Sequence, residues 1–243
     1  MPSVNNAFYD DLGTTWHEGD GHAIALLRAE GRAKVAYTRE VFAREGVPHG
    51  GDVLDVACGG GLVARPLSES GYRVTGIDLS ASSVEMAKRW DPRGTFDVGD
   101  AAALPYADGS FDAVLLLDML EHVEDLGGVL REAGRVLRPG GVVVFNTFNR
   151  TPAAAAVAIY GFHVVVRDTP EHIHVYDLFR TPAELGAAMA EHGLQLVETR
   201  GLRPRLDGAF WRSVARRRVD PAFSFRETRS TAVGYLGYAK KPA

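Results

Sequence analysis

The chain has 243 residues, of which 46% are hydrophobic and 24% are charged, and its formal net charge at pH 7 is −4. These proportions are ordinary for a globular protein, and the length suits a single domain over residues 1–243. The acidic balance argues against a nucleic-acid partner, and the single cysteine, Cys58, excludes an internal disulfide and fits a reducing cytosol. No apolar run is long enough to span a bilayer. We expect a cytoplasmic protein, either a monomer or a homodimer.

Residues 1–48 are predicted to form an N-terminal helical cap. Apolar residues recur at helical spacing between positions 22 and 43, and Gly46 follows as a stop signal. Arg28 lies in this helix, and its guanidinium can form a bidentate pair with a ligand carboxylate. On spacing alone, a solvent-exposed arginine is an equally good interpretation.

The segment 51–64 combines a short apolar strand, a glycine turn and the start of a helix. In the turn 58–61 few side chains project, so a ligand can approach the backbone N–H groups at the positive end of the helix. A second strand, 73–78, ends in Asp78, whose carboxylate can accept hydrogen bonds from both hydroxyls of a ribose. The pattern predicts a nucleoside-binding site.

The turn alone does not decide which nucleoside binds. Gly59, Gly61 and Ala64 fit the dinucleotide fingerprint, which favours NAD. S-adenosylmethionine (SAM) is favoured by the motifs that surround the turn. These are Asp55-x-Ala57-x-Gly59-x-Gly61, then Gly99-Asp100-Ala101 after a third strand, and then Leu-Arg-Pro-Gly-Gly at 137–141 before a fifth strand. In this order they resemble class I SAM-dependent methyltransferases from about residue 50 to 150.

Strand and helix patterns alternate along the chain. The predicted strands are 53–57, 73–78, 95–98, 112–117, 141–146, 194–199 and 232–239, and the helices between them include 62–70, 81–89, 124–137 and 152–161. Strands separated by helices form a parallel sheet with helices on both faces. The expected fold is therefore the α/β, Rossmann-like class I methyltransferase fold, with a seven-stranded, mostly parallel sheet and an antiparallel last strand. Residues 147–192 and 202–230 interrupt the alternation, and we interpret them as insertions on the substrate side.

Ligands of such sheets bind at the carboxyl ends of the strands. Asp100 and Ala101 follow the third strand there, and Asp100 can accept from the adenine amino group. Leu79 and Leu117 can pack on the adenine faces. A turn-forming role for Asp100 and ordinary core packing for the two leucines are the alternatives.

Asp118, Glu121 and His122 form the richest polar cluster. They begin at the end of the fourth predicted strand, and a helical turn would place them on one face. Two carboxylates and an imidazole can bind Mg²⁺ or Zn²⁺, which would lower the pKa of a bound catechol hydroxyl. Because SAM enzymes without a metal carry similar residues, a metal-free site is the alternative.

His172 and His174 are, with His122, the candidates for a catalytic base. A histidine near neutrality can accept a phenolic proton while the methyl group moves. The transfer is an in-line displacement at the sulfonium carbon, so the enzyme mainly aligns the nucleophile and removes the proton. For His174, an imidazole bonded to the backbone in a structural role is an equally good interpretation.

Three segments narrow the resemblance. Asp118-Met-Leu-Glu-His-Val, Asn149-Arg-Thr-Pro and His174-x-Tyr176-x-x-Phe179-x-x-Pro-Ala-Glu-Leu185 together resemble the UbiG family, the O-methyltransferases of ubiquinone biosynthesis, over about residues 16–240. That family acts on polyprenylated catechols. The resemblance implies SAM as the cofactor, a metal site at Asp118, Glu121 and His122 as in one branch of the family, and a membrane-facing substrate entrance at 152–180.

The cofactor contacts expected from the motifs and the resemblance form one set. They are Arg28, Asp55, Ala57, Cys58, Gly59, Gly61, Asp78, Leu79, Asp100, Ala101 and Leu117. The chain departs from the family pattern at three single positions and in one segment. Ala57 replaces a glycine, Asp118 replaces a frequent glutamate, and Tyr176 replaces a tryptophan. The segment is the arginine-rich stretch 203–229. These departures leave the acceptor open between a ubiquinone precursor and a secondary metabolite.

We therefore expect the chain to transfer the methyl group of SAM to a hydroxyl of a small catechol, phenol or quinol. A C- or N-methyltransferase of the same fold is the alternative, and a SAM-binding module without catalytic activity is a third interpretation. The apolar helix near 153–162 also suggests peripheral contact with the inner membrane surface.

Overall fold

One β-sheet carries the fold, and it lies within the residues that the computed structural model describes, 6–167, 169 and 173–243. Its eight strands are β1 (Asp52–Val56), β2 (Arg73–Asp78), β3 (Thr95–Val98), β4 (Phe111–Leu117), β5 (Leu137–Phe148), β6 (Gln195–Pro204), β7 (Phe225–Thr228) and β8 (Gly234–Lys240). Their order in the sheet is β3-β2-β1-β4-β5-β8-β6-β7. Strands β1 to β5 pair in parallel, and β8 is antiparallel to both β5 and β6. The predicted Rossmann-like fold with its antiparallel last strand is confirmed.

The sheet has one strand more than the seven that the sequence predicts. Strand β7 lies in the segment 202–230 and pairs antiparallel with the last four residues of β6. It is only four residues long and includes Arg226 and Glu227, so it lacks the apolar alternation by which a strand is recognised. The same pairing extends β6 to Pro204, beyond the predicted end at 199.

Helices cover both faces of the sheet. The α-helices are α1 (Ile24–Glu45), α2 (Ala64–Glu69), α3 (Ala81–Trp90), α4 (Leu126–Val136), α5 (Pro152–Ala155), α6 (Phe162–Val165), α7 (Pro182–Glu191) and α8 (Gly208–Arg216). Short 3-10 helices span Asn6–Asp11, Gly13–Trp16 and Tyr176–Leu178, and a π-helix, Ala156–Gly161, joins α5 to α6. The predicted helix 152–161 therefore continues to Val165.

Two hydrophobic cores hold the helices to the sheet. Val53 of β1 packs with Phe42 of α1 and Leu67 of α2 on one face. Its neighbour Leu54 packs with Leu130 of α4 on the other face. Successive strand residues point to opposite faces, so a strand that is buried on both faces must be apolar at every position. This explains why β1 and β4 are continuous apolar runs apart from their aspartates.

Polar turns follow the carboxyl ends of β1, β2 and β4, and these ends lie side by side in the sheet. The backbone takes a left-handed conformation at Ala57, with φ of 57°, and at Asp118, with φ of 55°. An L-residue other than glycine adopts this conformation at a cost of about 1–2 kcal/mol. Both turns are therefore strained, and both lie at the edge of the sheet where a ligand is expected.

Replacing Ala57 by glycine relieves the strain in the first turn. We expect Ala57→Gly to raise the free energy of unfolding by about 1 kcal/mol, because glycine adopts a positive φ without a Cβ penalty. Urea denaturation without cofactor measures the change. Ala81→Gly is the matched control, since this exposed alanine is the first residue of α3, and there the same substitution should destabilise. Equal destabilisation by both would contradict the strain argument.

Candidate functional site

A cavity of about 610 Å³ opens at the carboxyl ends of β1, β2, β3 and β4. It is lined by most of the residues that the sequence singles out for a nucleoside. These are Asp55, Ala57, Cys58, Gly59, Asp78, Leu79, Asp100, Ala101 and Leu117. The fold thus brings side chains from four separate strand ends to one site.

Asp78 joins the end of β2 to the glycine turn. Its Oδ2 accepts a hydrogen bond from the backbone N–H of Gly59 at 2.8 Å, and its Oδ1 accepts one from the N–H of Ser80 at 2.9 Å. Burial raises the pKa of this carboxyl, while the two N–H groups act against that rise. Each carboxylate oxygen keeps a second lone pair. The geometry therefore fits a pair of ribose hydroxyls at a carboxylate that is already oriented.

Asp55 is a buried carboxyl without a cationic partner. It lies in β1 with 3% of its surface exposed, and the described part of the chain contains no ion pair to it. Burial, together with repulsion by Asp78 and Asp118, raises its pKa to about 7. A cationic group of a ligand can pair with this carboxylate. The α-ammonium of a SAM molecule would satisfy it, so the residues present fit the expected cofactor.

The end of the cavity that the sequence predicts for adenine is apolar and partly open. Leu79 leaves 67% of its surface exposed although it lines the cavity, which an ordinary core leucine does not do. Leu117 is nearly buried. Asp100 accepts a hydrogen bond from the N–H of Ala102 at 2.8 Å through Oδ1, so it forms a turn as well as facing the cavity. Burial raises the pKa of Cys58, so its thiol stays protonated.

Arg28 and Gly61 are predicted contacts that do not line the cavity. The Arg28 guanidinium donates to the carbonyl oxygens of Thr15 (2.7 Å), Trp16 and Gly19. It therefore ties the N-terminal 3-10 helices to α1, and its contact with a methionine carboxylate stays a prediction. Gly61, with φ of 79°, faces Ala87 of α3, where a Cβ would be crowded. Its role here is close helix packing.

Two aromatic residues that the sequence analysis left unassigned close the cavity from the N-terminal side. Trp16 lies against the glycine turn, so a Cβ at Gly59 or Gly60 would collide with its indole ring. Its Nε1 donates to Ser83 Oγ at 3.2 Å, and Tyr9 stacks on it with ring centroids 6.0 Å apart. In the sequence, these aromatic residues stand out within an otherwise polar segment. Nothing in the sequence indicates which residues they contact.

A smaller cavity of about 70 Å³ adjoins the first. Tyr9, Leu27, Asp118 and His122 line both cavities. The smaller one is otherwise bounded mainly by apolar and aromatic side chains, with three further polar groups that can take part in chemistry, Glu30, Glu121 and His174. Its walls include Phe8, Glu121, Phe148, Phe162, His174 and Phe225.

His122 and His174 face each other across this smaller cavity, with ring centroids 5.4 Å apart. Burial lowers the pKa of His122 to about 4 and that of His174 to about 3. Both rings are therefore neutral at pH 7. His174 Nδ1 lies 3.2 Å from the carbonyl oxygen of Ala158, and His122 Nδ1 is buried with no hydrogen-bond partner among the described residues. His172, the third candidate base, lies outside the described residues.

The structure does not bring the predicted metal ligands together as a set. Asp118 Oδ2 pairs with Lys34, and Asp118 Oδ1 accepts from Asn146 Nδ2 at 2.9 Å, so both of its oxygens are engaged. Burial raises the pKa of Glu121 to about 8, so its carboxyl is mostly protonated at pH 7. Asp118 is therefore not placed to complete a metal site with Glu121 and His122. In the described part of the chain, the donor atoms that lie within 4.8 Å of one another belong to Glu121, His122 and His174.

Comparisons with known proteins agree with this geometry. A methyltransferase-domain family model matches residues 54–145. Ubiquinone biosynthesis O-methyltransferase of Xanthomonas axonopodis is 37% identical over 95% of this chain and 91% of its own length, and that of Azorhizobium caulinodans is 35% identical over 81% and 82%. Magnesium protoporphyrin IX methyltransferase from Synechocystis, solved with bound SAH, has a TM-score of 0.65 at 17% identity and covers 98% of this chain and 95% of its own.

The fold and the larger cavity define a SAM-dependent methyltransferase. The family model supports SAM as the cofactor over NAD, the alternative nucleoside. More narrowly, the chain belongs to the family of ubiquinone biosynthesis O-methyltransferases, so it is an O-methyltransferase rather than a C- or N-methyltransferase or a non-catalytic module. None of the described helices combines the length and apolar character needed to cross a bilayer.

The charge of Asp55 should make SAM binding depend on pH. With a pKa of about 7, the free carboxyl is protonated below neutrality and cannot pair with the SAM ammonium. We expect SAM affinity to fall about tenfold between pH 8 and pH 6, measured by calorimetry. Asp55→Asn should bind weakly at both pH values and lose this dependence. Asp97→Asn, which alters a carboxylate bonded to Tyr106, is the control and should keep the pH dependence. If the pH dependence survives in Asp55→Asn, another group causes it.

Proposed function

We propose that this O-methyltransferase methylates a ring hydroxyl of a catechol or quinol, and that His174, with His122 beside it, receives the hydroxyl proton. The observation that carries the proposal is the pair of partly buried, neutral imidazoles in an aromatic cavity that adjoins the SAM cavity. Phe148 and Phe162 contact His174 edge-on, with centroids 4.9 and 5.5 Å away. Such walls suit a planar ring. The names of the relatives support a ubiquinone precursor as the acceptor.

The hydrogen bond of His174 indicates which of its nitrogens acts. A carbonyl oxygen can only accept, so the contact with Ala158 requires the proton on Nδ1 and leaves the Nε2 lone pair free. A neutral imidazole is in the correct state to accept a proton. SAM, when bound, supplies the methyl group on a sulfonium. The protein's part is to hold the hydroxyl in line with that carbon and to remove its proton.

A divalent cation is the alternative means of activating the hydroxyl. Glu121, His122 and His174 would hold Mg²⁺ or Zn²⁺, because their donor atoms lie within 4.8 Å of one another. Metal binding would have to deprotonate Glu121, whose pKa burial raises to about 8. Activity in EDTA separates this route from the metal-free one.

The cofactor-binding residues of this proposal are those that line the larger cavity, with Asp78 at the ribose and Asp55 at the ammonium. Leu79 and Leu117 would enclose the adenine. We further propose that the segments 147–192 and 202–230 form the acceptor side of the single domain. His163 and Phe162 of α6 lie in the first of them, and α8 lies in the second.

We also propose that the outer surface of α6 and α8 contacts an anionic membrane. Tyr160 leaves 70% and Trp211 61% of its surface exposed, and Arg217 joins the two regions by donating to the carbonyl of His163 at 2.9 Å. An exposed tryptophan beside arginines suits the headgroup level of an anionic bilayer. Peripheral attachment of an otherwise cytoplasmic enzyme would bring it to a polyprenylated acceptor. Light scattering would distinguish a monomer from a dimer.

His174→Ala tests the acceptor site. We expect kcat with a catechol acceptor to fall by about a hundredfold or more, with SAM affinity unchanged, because the base is lost and the cofactor cavity is intact. His192→Ala, at the partly buried C-terminal cap of α7, is the control. NMR of the product made with ¹³C-methyl SAM locates the methyl group on oxygen. Full activity of His174→Ala would mean that His122 or a bound cation activates the acceptor hydroxyl instead.

Vesicle sedimentation tests the membrane surface. The protein should sediment with phosphatidylglycerol vesicles and remain free of phosphatidylcholine vesicles, because the arginines require an anionic surface. Trp211→Ser should weaken the binding several-fold, by removing an exposed anchor. Val197→Ser, at an exposed position of β6, should have no effect. Equal binding to both lipids would contradict the proposal.

A further inference from the structure

Lys34 of α1 is a buried cation beside the active site. Only 1% of its surface is exposed, and its Nζ pairs with Asp118 and lies 3.4 Å from Oε2 of Glu30. An ammonium group removed from water costs several kcal/mol unless anionic partners surround it. Burial acts to lower the pKa of Lys34, but Asp118 and Glu30 outweigh it, so the pKa lies above its usual value. The lysine is therefore charged and fixed in place.

The carboxylate that Lys34 holds is constrained from a second side. Asp118 receives a hydrogen bond from Asn146 on Oδ1, and Asn146 Oδ1 in turn accepts from the backbone N–H of Asp118, both at 2.9 Å. The left-handed backbone of Asp118 is kept in place by these bonds. Asp118 lines both cavities. Its charge therefore lies at the boundary between the cofactor and the acceptor.

Asp118 also acts electrostatically on the two imidazoles. It lines the smaller cavity together with His122 and His174, so its negative charge lies beside both rings. It would therefore stabilise the imidazolium that forms when a ring accepts a proton. Such a role requires that Asp118 stay ionised in an interior that also contains Glu30 and Glu121.

We propose that the Lys34 ammonium is the built-in cation of this active site: it holds Asp118 ionised and oriented, and it occupies the side of that carboxylate where a divalent cation would otherwise bind. This inference rests on the proposed function, because it assigns Lys34 to the metal-free route. Lys34 is a positioning residue, since it acts through Asp118 and does not line either cavity. Lys34 is part of α1, which packs on the sheet through Val35, Val41 and Phe42. Its ammonium therefore cannot exchange with ions from the solvent.

Mn²⁺ binding tests the proposal without any acceptor. The wild-type protein should bind no Mn²⁺ tightly in an EPR titration. Lys34→Ala leaves Glu30 and Asp118 facing an empty space and should take up Mn²⁺, because carboxylates are the ligands that this ion prefers. Lys88→Ala, on the surface of α3 and paired with Glu85, is the matched control and should bind none. Tight Mn²⁺ binding by the wild type would overturn the proposal.

Turnover provides the second readout. The wild type should keep its activity in EDTA. Lys34→Met should lower kcat by roughly ten- to a hundredfold, because Asp118 loses the cation that holds it ionised and oriented, with little change in KM for SAM. Mn²⁺ or Mg²⁺ should restore part of the activity to Lys34→Ala and not to Lys34→Met, whose side chain fills the space. Full kcat in Lys34→Met, or loss of wild-type activity in EDTA that Mg²⁺ reverses, would overturn the proposal.

A double variant covers the case in which a single variant does not fold. Lys34→Met with Asp118→Asn replaces the buried ion pair by neutral groups, an exchange that proteins often tolerate. It should be folded and should bind no Mn²⁺, and its kcat should equal that of Asp118→Asn alone, since Lys34 acts through Asp118. Additive losses would indicate a merely structural role for Lys34. If no catechol is methylated at all, the proposed function fails, while the Mn²⁺ titration still decides the role of Lys34.

Discussion

The bond between the Asp78 carboxylate and the backbone N–H of Gly59 is the constraint on which the cofactor site depends. It fixes the turn after β1 to the end of β2, so the bare peptide groups of the turn and the carboxylate face the same cavity. Trp16 then closes the turn from the other side, because no Cβ stands between its ring and the glycine backbone. A side chain at this position would separate the N-terminal segment from the sheet.

The interior behind this bond contains several acidic groups, and the protein accommodates them in three ways. Asp55 and Glu121 have pKa values raised to about 7 and about 8 by burial. Asp78 is stabilised by backbone N–H groups, and Asp118 by the ammonium of Lys34. An acidic cavity of this kind is suited to a cationic cofactor such as SAM. The neutral histidines lie beyond it, on the side of the acceptor.

The periodicity and the turn motifs of the sequence predict most of the fold. Strands β2 and β3 lie at the predicted residues, and α3 begins at the predicted residue 81, after Ser80 as its N-cap. These features are local, since they depend on alternation, glycine and capping residues within a few positions. Strand β7 was missed because its residues are held by pairing with β6 and not by a pattern of their own. The π-helical join of α5 and α6 likewise leaves no local signal.

For the site, the sequence by itself determined the residue types at the strand ends: Asp55, the glycine turn, Asp78 and the cluster that begins at Asp118. Motif order suffices for these because parallel strands bring their carboxyl ends to one edge. Only the tertiary structure decided which groups share a contact. It paired Asp118 with Lys34, which is 84 residues away along the chain, turned Arg28 toward the N-terminal backbone, and placed His174 opposite His122. Such pairings follow from the packing of α1 and of the segment after β5 against the sheet. Contacts between residues far apart in the chain produce no local sequence pattern, so the sequence does not predict them.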